Sequence, residues 1–321
     1  MFESVGSPLT WGLFLAGILV LLAIDLGVFH RSAHRVSLRE AAVWSCIWVT
    51  LSLCFNGYVW ATYGDAAGLQ FLSAYLIEKA LSVDNIFVFI VLFRYMKIPP
   101  EHLHRVLFAG ILGALILRAV FIVAGLALIE LFSWTIYLFG GFLLYTGIRL
   151  LFVDEGAGED EAGAVAEDNW VKKKVEKWFR VTRDYEGPRF FVRRQGKLFI
   201  TTLFVTLLMV ETADVMFALD SIPAIFGIST DPFIVFTSNV CAVMGLRAMF
   251  FLLENIIDRF YYLKYGLGLV LSFVGVKMLL GEGLEPWIPA YHIPIAWSLG
   301  GVAFLLVGSV AISLLLPPPR K

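Results

Sequence analysis

The stretch YLIEKALSVDNIFVF (75–89) sets Glu78 and Asp84 inside a run otherwise apolar enough to cross a membrane, and VETADVMFALDSIPAIF (210–226) does the same with Glu211, Asp214 and Asp220. An ionised group at the centre of a bilayer costs at least ~2.5–3.5 kcal/mol even on the most lenient insertion scale, so such residues face a bundle interior and mark an ion path. Laid one over the other, EKALSVDNI (78–86) matches DVMFALDSI (214–222), with Glu78 over Asp214, Asp84 over Asp220 and Asn85 over Ser221. The two segments differ in residues and share their polar positions, as copies of one ancestral site would.

Composition fits this reading. The chain is 59% hydrophobic and 16% charged, with a mean hydropathy of +0.82, well beyond a soluble domain. The expected class is an all-α membrane protein. A window of about 20 residues gives nine candidate spans, at 9–29, 40–62, 69–93, 104–130, 133–153, 199–227, 233–256, 265–281 and 292–316. The first follows an uncharged-to-acidic tail with no small-residue cleavage site, so it reads as a retained span rather than a signal peptide. Ser37-Leu-Arg-Glu40 reads as a capping box opening the second. Loops carrying Arg31, Arg35 and Arg39, then Arg94, Lys97 and Arg105, then 154–198, then Arg259 and Lys264 alternate with loops carrying only Asp65, Glu130, Asp231, or Glu282 and Glu285. Because basic loops stay inside, the amino terminus is expected outside and the Arg320–Lys321 tail in the cytoplasm.

The repeat extends beyond the carboxylates. LRAVF (117–121) lies over LRAMF (246–250), and YLFGGFLLYTGIRLL (137–151) over YGLGLVLSFVGVKMLL (265–280), pairing Arg118 with Arg247 and Gly147 with Gly275. Each unit covers three spans, and an odd number makes the second unit enter the membrane from the opposite side, giving two inverted three-helix repeats. The expected organisation is 1–65 as two peripheral spans, 66–153 as the first repeat, 154–198 as a cytoplasmic loop, 199–283 as the second repeat and 284–321 as a final span with its tail.

Helical spacing constrains the site. Residues six apart turn through about 600°, so Glu78 and Asp84 point roughly 120° apart on a straight helix. Glu78 and Asn85, seven apart, share a face, as do Asp214 and Ser221. Bringing Asp84 and Asp220 into the same cavity requires an unwound or kinked helix, and Pro223, which cannot donate to the carbonyl of Leu219, is placed to cause it. The candidate ligands are Glu78, Asp84, Asn85, Glu211, Asp214, Asp220 and Ser221, with Asn239 and freed carbonyls nearby. This all-oxygen set suits manganese, magnesium or calcium. Zinc and copper are disfavoured: His102 and His104, beside Pro99 and Pro100, read as solvated loop residues, and Cys46, Cys54 and Cys241 stand singly. Arg118 and Arg247 lie too deep to snorkel, so each is expected to pair with a carboxylate. They either compete with the metal for Asp84 or Asp220 or form fixed pairs that fasten helices. No nucleophile–base constellation, nucleotide loop or organic-cofactor motif supports an enzyme.

Within 154–198, the acidic DEGAGEDEAGAVAED (154–168) reads as disorder. NWVKKKVEKWFRV (169–181) reads as an amphipathic helix on the inner leaflet, with Val171, Val175, Trp178 and Phe179 on its apolar face.

Taken together, YLIEKALSVDNIFVF, DVMFALDSIPAIFGISTDPFIVFTSN and GLRAMFFLL closely resemble the TerC family of bacterial membrane proteins, and VWSCIWVTLSLCFN (43–56) resembles its Alx branch. The resemblance implies membership of a cation-exporter superfamily similar to the lysine exporters, residence in the bacterial inner membrane and export of manganese. The matching positions are Glu78, Asp84, Asn85, Glu211, Asp214 and Asp220. The family is also associated with tellurium resistance and a redox label, for which no residues here carry the chemistry. The expected activity is export of a divalent cation by alternating access, with protons as the counter-ion. The expected partners are membrane lipid and the cation, without nucleic acid. The alternative is a non-transporting scaffold or assembly factor whose acids are locked to Arg118, Arg247 and Lys79.

Overall fold

Backbone groups in lipid have no water to bond, so apolar segments satisfy them internally as helices. The computed structural model describes residues 4–29, 37–132, 134–152, 175, 177–182, 185, 187–194, 196–254, 262–282 and 294–315. In chain order these residues form α1 (Pro8–Phe29), α2 (Leu38–Tyr63), α3 (Asp65–Met96), α4 (Pro100–Leu131) and α5 (Thr135–Phe152). The hairpin β1 (Phe191–Arg194) and β2 (Lys197–Ile200) follows, then α6 (Thr202–Phe226), α7 (Pro232–Met244), α8 (Leu246–Leu253), α9 (Leu263–Glu282) and α10 (Ile295–Leu315).

Among the described residues, six helices are long and apolar enough to cross a membrane: α2, α4, α5, α6, α9 and α10. The helices α7 and α8, bent by 40° at Gly245, pass the same test as a pair and make a seventh if they form one span. Of the remaining expected spans, α1 is apolar over the shorter stretch Pro8–Ile24, and the 32-residue α3 carries Asp65, Glu78, Lys79, Asp84 and Arg94. Ser37 caps α2 by accepting from the Glu40 amide at 3.2 Å, as the capping box predicts.

The bundle is held by close packing of α5 on α9, α3 on α7, α4 on α6 and α3 on α6. The α5–α9 contact is backbone-close and antiparallel. A Cβ on Gly140 would stand 3.2 Å from the Gly275 carbonyl oxygen, and one on Gly268 would stand 2.9 Å from that of Gly147. Glycines at these four positions let the two helices approach as small-residue interfaces in membranes do.

Among the described residues the bundle has three apolar clusters, two of which meet along α3. The first joins the later half of α3 to the first halves of α4 and α6, through Ile86, Phe89, Val106, Met209 and Ala213. The second joins the earlier half of α3 to the ends of α4 and α6 and to α5 and α9, through Ile77, Ile122, Ala218, Val270 and Val274. The third joins α1 and α2 to α3, α7 and α8 through Phe14, Trp48, Phe71 and Phe233.

Three expectations are corrected. The fold is not purely helical, because Phe191–Arg194 pairs antiparallel with Lys197–Ile200 around a tight turn with Gly196 at φ 76°. His102 and His104 belong to the first turns of α4 rather than to a loop, with His102 buried, since Pro100 starts the helix at its first position. The helix α6 runs without interruption through Pro223 to Phe226. The break lies instead at Gly245.

Of the expected amphipathic helix, Val171 lies outside the described residues. Val175 packs on the first cluster, while Trp178 and Phe179 are exposed. The segment before the hairpin is anchored to the bundle: Tyr185 donates to the Met96 carbonyl at 2.7 Å, and Arg105 lies 5.2 Å over the Phe190 ring. Burial raises the Tyr185 hydroxyl above the ordinary phenol range.

Candidate cation site

On α3, Glu78, Ser82 and Asn85 follow one another at helical spacing on a face that packs inward, and all three are buried. On α6, Asp214 and Ser221 do the same, so the seven-residue spacing places both pairs as predicted. Arg118 of α4 meets the carboxylates of the two helices. Its Nη1 is ion-paired with Glu78, and its Nη2 donates to Asp214 Oδ1 at 3.2 Å. The three residues are 0%, 1% and 2% exposed for Glu78, Arg118 and Asp214. Their neighbours Leu81, Ile122 and Ala218 belong to the second apolar cluster, and Ala213 and Ile111 to the first. The ionic group therefore lies where these two apolar clusters meet.

Two buried carboxylates around one guanidinium leave an excess of negative charge in a medium of low dielectric, where charges interact strongly. Their hydrogen bonding is incomplete. Glu78 Oε2, Asp214 Oδ2 and Arg118 Nε lack a protein partner, and so do Ser82 Oγ, Asn85 Nδ2, Ser221 Oγ and both polar atoms of Asn239. Buried polar atoms are nearly always paired in native proteins, so these unpartnered atoms of α3, α6 and α7 are candidates for bonding to water or a ligand.

The remaining predicted ligands diverge. The Glu211 carboxylate fills the space that a side chain on Gly113 of α4 would take, and its Oε2 lacks a hydrogen-bond partner. Asp220 points to α5, accepting from Thr146 Oγ1 at 3.4 Å. This is the divergence a continuous helix imposes on residues six apart. The side chain of Asp84 lies outside the described residues. Among the described residues, no three of His, Cys, Asp and Glu stand close enough to hold a metal ion. Between Glu78 and Asp214 stands the Arg118 guanidinium.

Arg247 is buried, two residues past the break. Lys79 donates to the Ala242 carbonyl at 3.1 Å. Two members of the site were not anticipated. Ser82 falls four residues after Glu78, a signal available from helical spacing, while Gly113 is visible only once α4 and α6 are seen in contact.

A model of the TerC family of integral membrane proteins matches residues 63–321 of the chain. The chain is 48% identical over 314 residues to an uncharacterized membrane protein of Myxococcus xanthus, covering 98% of this chain and 94% of that one. It is 47% identical over 324 residues to a Salmonella typhi protein named "Putative membrane-bound redox modulator Alx", covering 97% and 95% of the two chains. The Escherichia coli K12 protein of the same name is 45% identical over 320 residues, covering 97% and 96%. No solved structure is a significant match.

Proposed function

The chain belongs to the TerC family of integral multi-pass membrane proteins, and from that premise we propose that it is a secondary transporter exporting a divalent cation, manganese foremost. The observation that carries the proposal is the bridging of Glu78 and Asp214 by Arg118. These carboxylates hold the same position in the two sequence copies, so the copies meet at a single charged point. In inverted-repeat transporters the substrate site lies where the two repeats meet near the midplane.

The proposed architecture has nine spans, α1 to α6, α7 with α8, α9 and α10, with α3–α5 and α6–α9 as the inverted repeats. Matched contacts support it. Exchanging the copies turns α3 on α7 into α6 on α4, and turns the Gly140–Gly275 approach into Gly268–Gly147. The amino terminus faces outward by the distribution of basic loops, and the inner membrane and outward transport follow the family resemblance.

In the proposed cycle Arg118 is a tethered cation that neutralises the site when no metal is bound. An arriving divalent cation displaces the guanidinium from Glu78 and Asp214 and takes oxygens from Asn85 and Ser221, with Glu211, Asp84 and Asp220 as further acids along its path. Hard cations with flexible oxygen coordination suit such a set. Protons are the proposed counter-ions, since a carboxylate that releases the metal can take up a proton. No group of the site is placed for covalent or redox chemistry, and the proposal includes neither an enzymatic step nor an organic cofactor.

The scaffold reading draws on the same Arg118 pairings taken as permanent. It requires every acid to be locked, and Glu211, with an oxygen that lacks a hydrogen-bond partner, does not fit it. Metal flux in proteoliposomes with internal pH recorded separates the readings. The transporter predicts manganese flux in the wild type that is lost in Glu78→Gln and Asp214→Asn with folding retained, and a counter-moving pH signal. A wild type that moves neither manganese, magnesium nor calcium supports the scaffold.

A further inference from the structure

We propose that Lys79 of α3 and Gly245, between α7 and α8, form a hinge, with Lys79 the positioning residue that holds the α7–α8 helix bent. Gly245 has φ −86° and ψ 1°, a conformation open to any residue, so the glycine is not required by the backbone. Its neighbours are close instead. A Cβ there would stand 2.8 Å from Lys79 Nζ, the movable end of that side chain, and 3.1 Å from Trp48 Cβ, so a larger residue would push the ammonium from its place.

A helix that ends leaves the carbonyls of its last turn without intrahelical donors. Here one of them is served from a neighbouring helix. Lys79 Nζ donates to the Ala242 carbonyl at 3.1 Å, while the Ser52 hydroxyl of α2 gives its single proton to the Trp48 carbonyl at 2.8 Å and lies only 3.4 Å from the Cys241 carbonyl. The ammonium also stands at the negative end of the α7 dipole, which favours a cation there. Lys79 thereby stabilises an end of α7 that would otherwise close by extending into α8.

The pair at the equivalent positions has neither a lysine nor a glycine. In the register that places Glu78 over Asp214, Lys79 lies over Val215. In the register that places Arg118 over Arg247, Gly245 lies over Ile116. The corresponding helix, α4, runs unbroken through Ile116. Lysine and glycine occur together where the helix bends, and neither occurs where it is straight.

The end of α7 borders a cavity. A mostly apolar cavity of about 380 Å³ adjoins the break, lined by Trp48, Ser52 and Phe55 of α2, Phe14 of α1, and Cys241 and Met244 of α7. Arg247 stands two residues beyond the hinge, so a change of bend carries it relative to the fixed Arg118. The eight residues of α8 span about 12 Å, and straightening a 40° bend would displace their far end by about 8 Å.

The test is a distance between spin labels on Leu252 and on the lipid-facing Val120, in full-length protein in nanodiscs with Cys46 and Cys54 replaced by serine. It involves no cargo, so its result is independent of the transport proposal. Lys79→Met is expected to move the distance distribution by several ångströms, and Lys79→Arg to restore it. An unmoved distribution in folded Lys79→Met overturns the hinge. Gly245→Ala reads the same contact if Lys79→Met does not fold: a shifted distribution supports the hinge and an unshifted one overturns it.

Discussion

Arg118 and Arg247 occupy equivalent places in the sequence repeat and sit on helices of different build. Arg118 rides on α4, continuous from Pro100 to Leu131, and closes onto a carboxylate from each copy. Arg247 follows a break where α7 gives way to α8. On the proposed repeat, the two arginines keep equivalent places while one helix runs straight and the other is bent: the first would act as a clamp, the second as a jointed arm. The difference comes down to a few side chains, chiefly Ile116 against Gly245 and Val215 against Lys79.

The largest effect is expected where the clamp is dismantled from one side. Arg118→Met leaves Glu78 and Asp214 buried without their cation, and removing one partner of a buried ion pair costs about 3–5 kcal/mol. Thermal or denaturant unfolding in detergent should register this loss. Adding Glu78→Gln and Asp214→Asn should recover most of it, since the unpaired charges are then gone. A neutral single variant would break the contrast between clamp and arm.

The helix pair α5–α9 sharpens the comparison from the opposite direction, because there the two copies are alike. Gly147→Val and Gly275→Val should each destabilise by about 1–3 kcal/mol through overpacking, since a Cβ on Gly147 would meet Ser272 and one on Gly275 would come within 2.7 Å of the Leu144 nitrogen. Gly141→Val, where a Cβ meets nothing within 4 Å, should stay within about 0.5 kcal/mol. Unequal losses at Gly147 and Gly275 would count against equivalence of the copies.

A smaller effect tests whether glycine alone makes the joint. Ile116→Gly in α4 should cost about 1 kcal/mol in helix propensity and leave α4 straight, because Val215 offers no donor to a freed carbonyl. Label distances across α4 would reveal a new bend and contradict the need for Lys79. Near the same size is Tyr185→Phe, which removes the bond to the Met96 carbonyl. It should cost about 1 kcal/mol and loosen the hairpin segment in hydrogen exchange while leaving the clamp intact.

The helical core was legible because lipid enforces long apolar runs, and the pairing of Arg118 with carboxylates was legible because a deep guanidinium has few other partners. Which carboxylates it would choose was less so. Glu78 and Asp214 win because they lie on the inward faces of straight helices, whereas Asp220 is carried round to Thr146. Pro223 suggested a break and produced none, since a proline near a helix end forfeits one hydrogen bond while tertiary packing keeps the remainder. Gly245 gave no comparable signal: its role is to leave space for Lys79, and that is a fact about two helices rather than one. The hairpin escaped notice because four-residue strands beside a long polar segment carry little periodicity.

The central claim is that the copies share one cation site at Glu78 and Asp214, with Arg118 in it when no metal is bound. Manganese titrated into purified protein in nanodiscs, followed calorimetrically, tests it most directly. The account predicts that Glu78→Gln and Asp214→Asn each weaken binding by more than tenfold and to similar degrees. Wild-type affinity in either folded variant would contradict it.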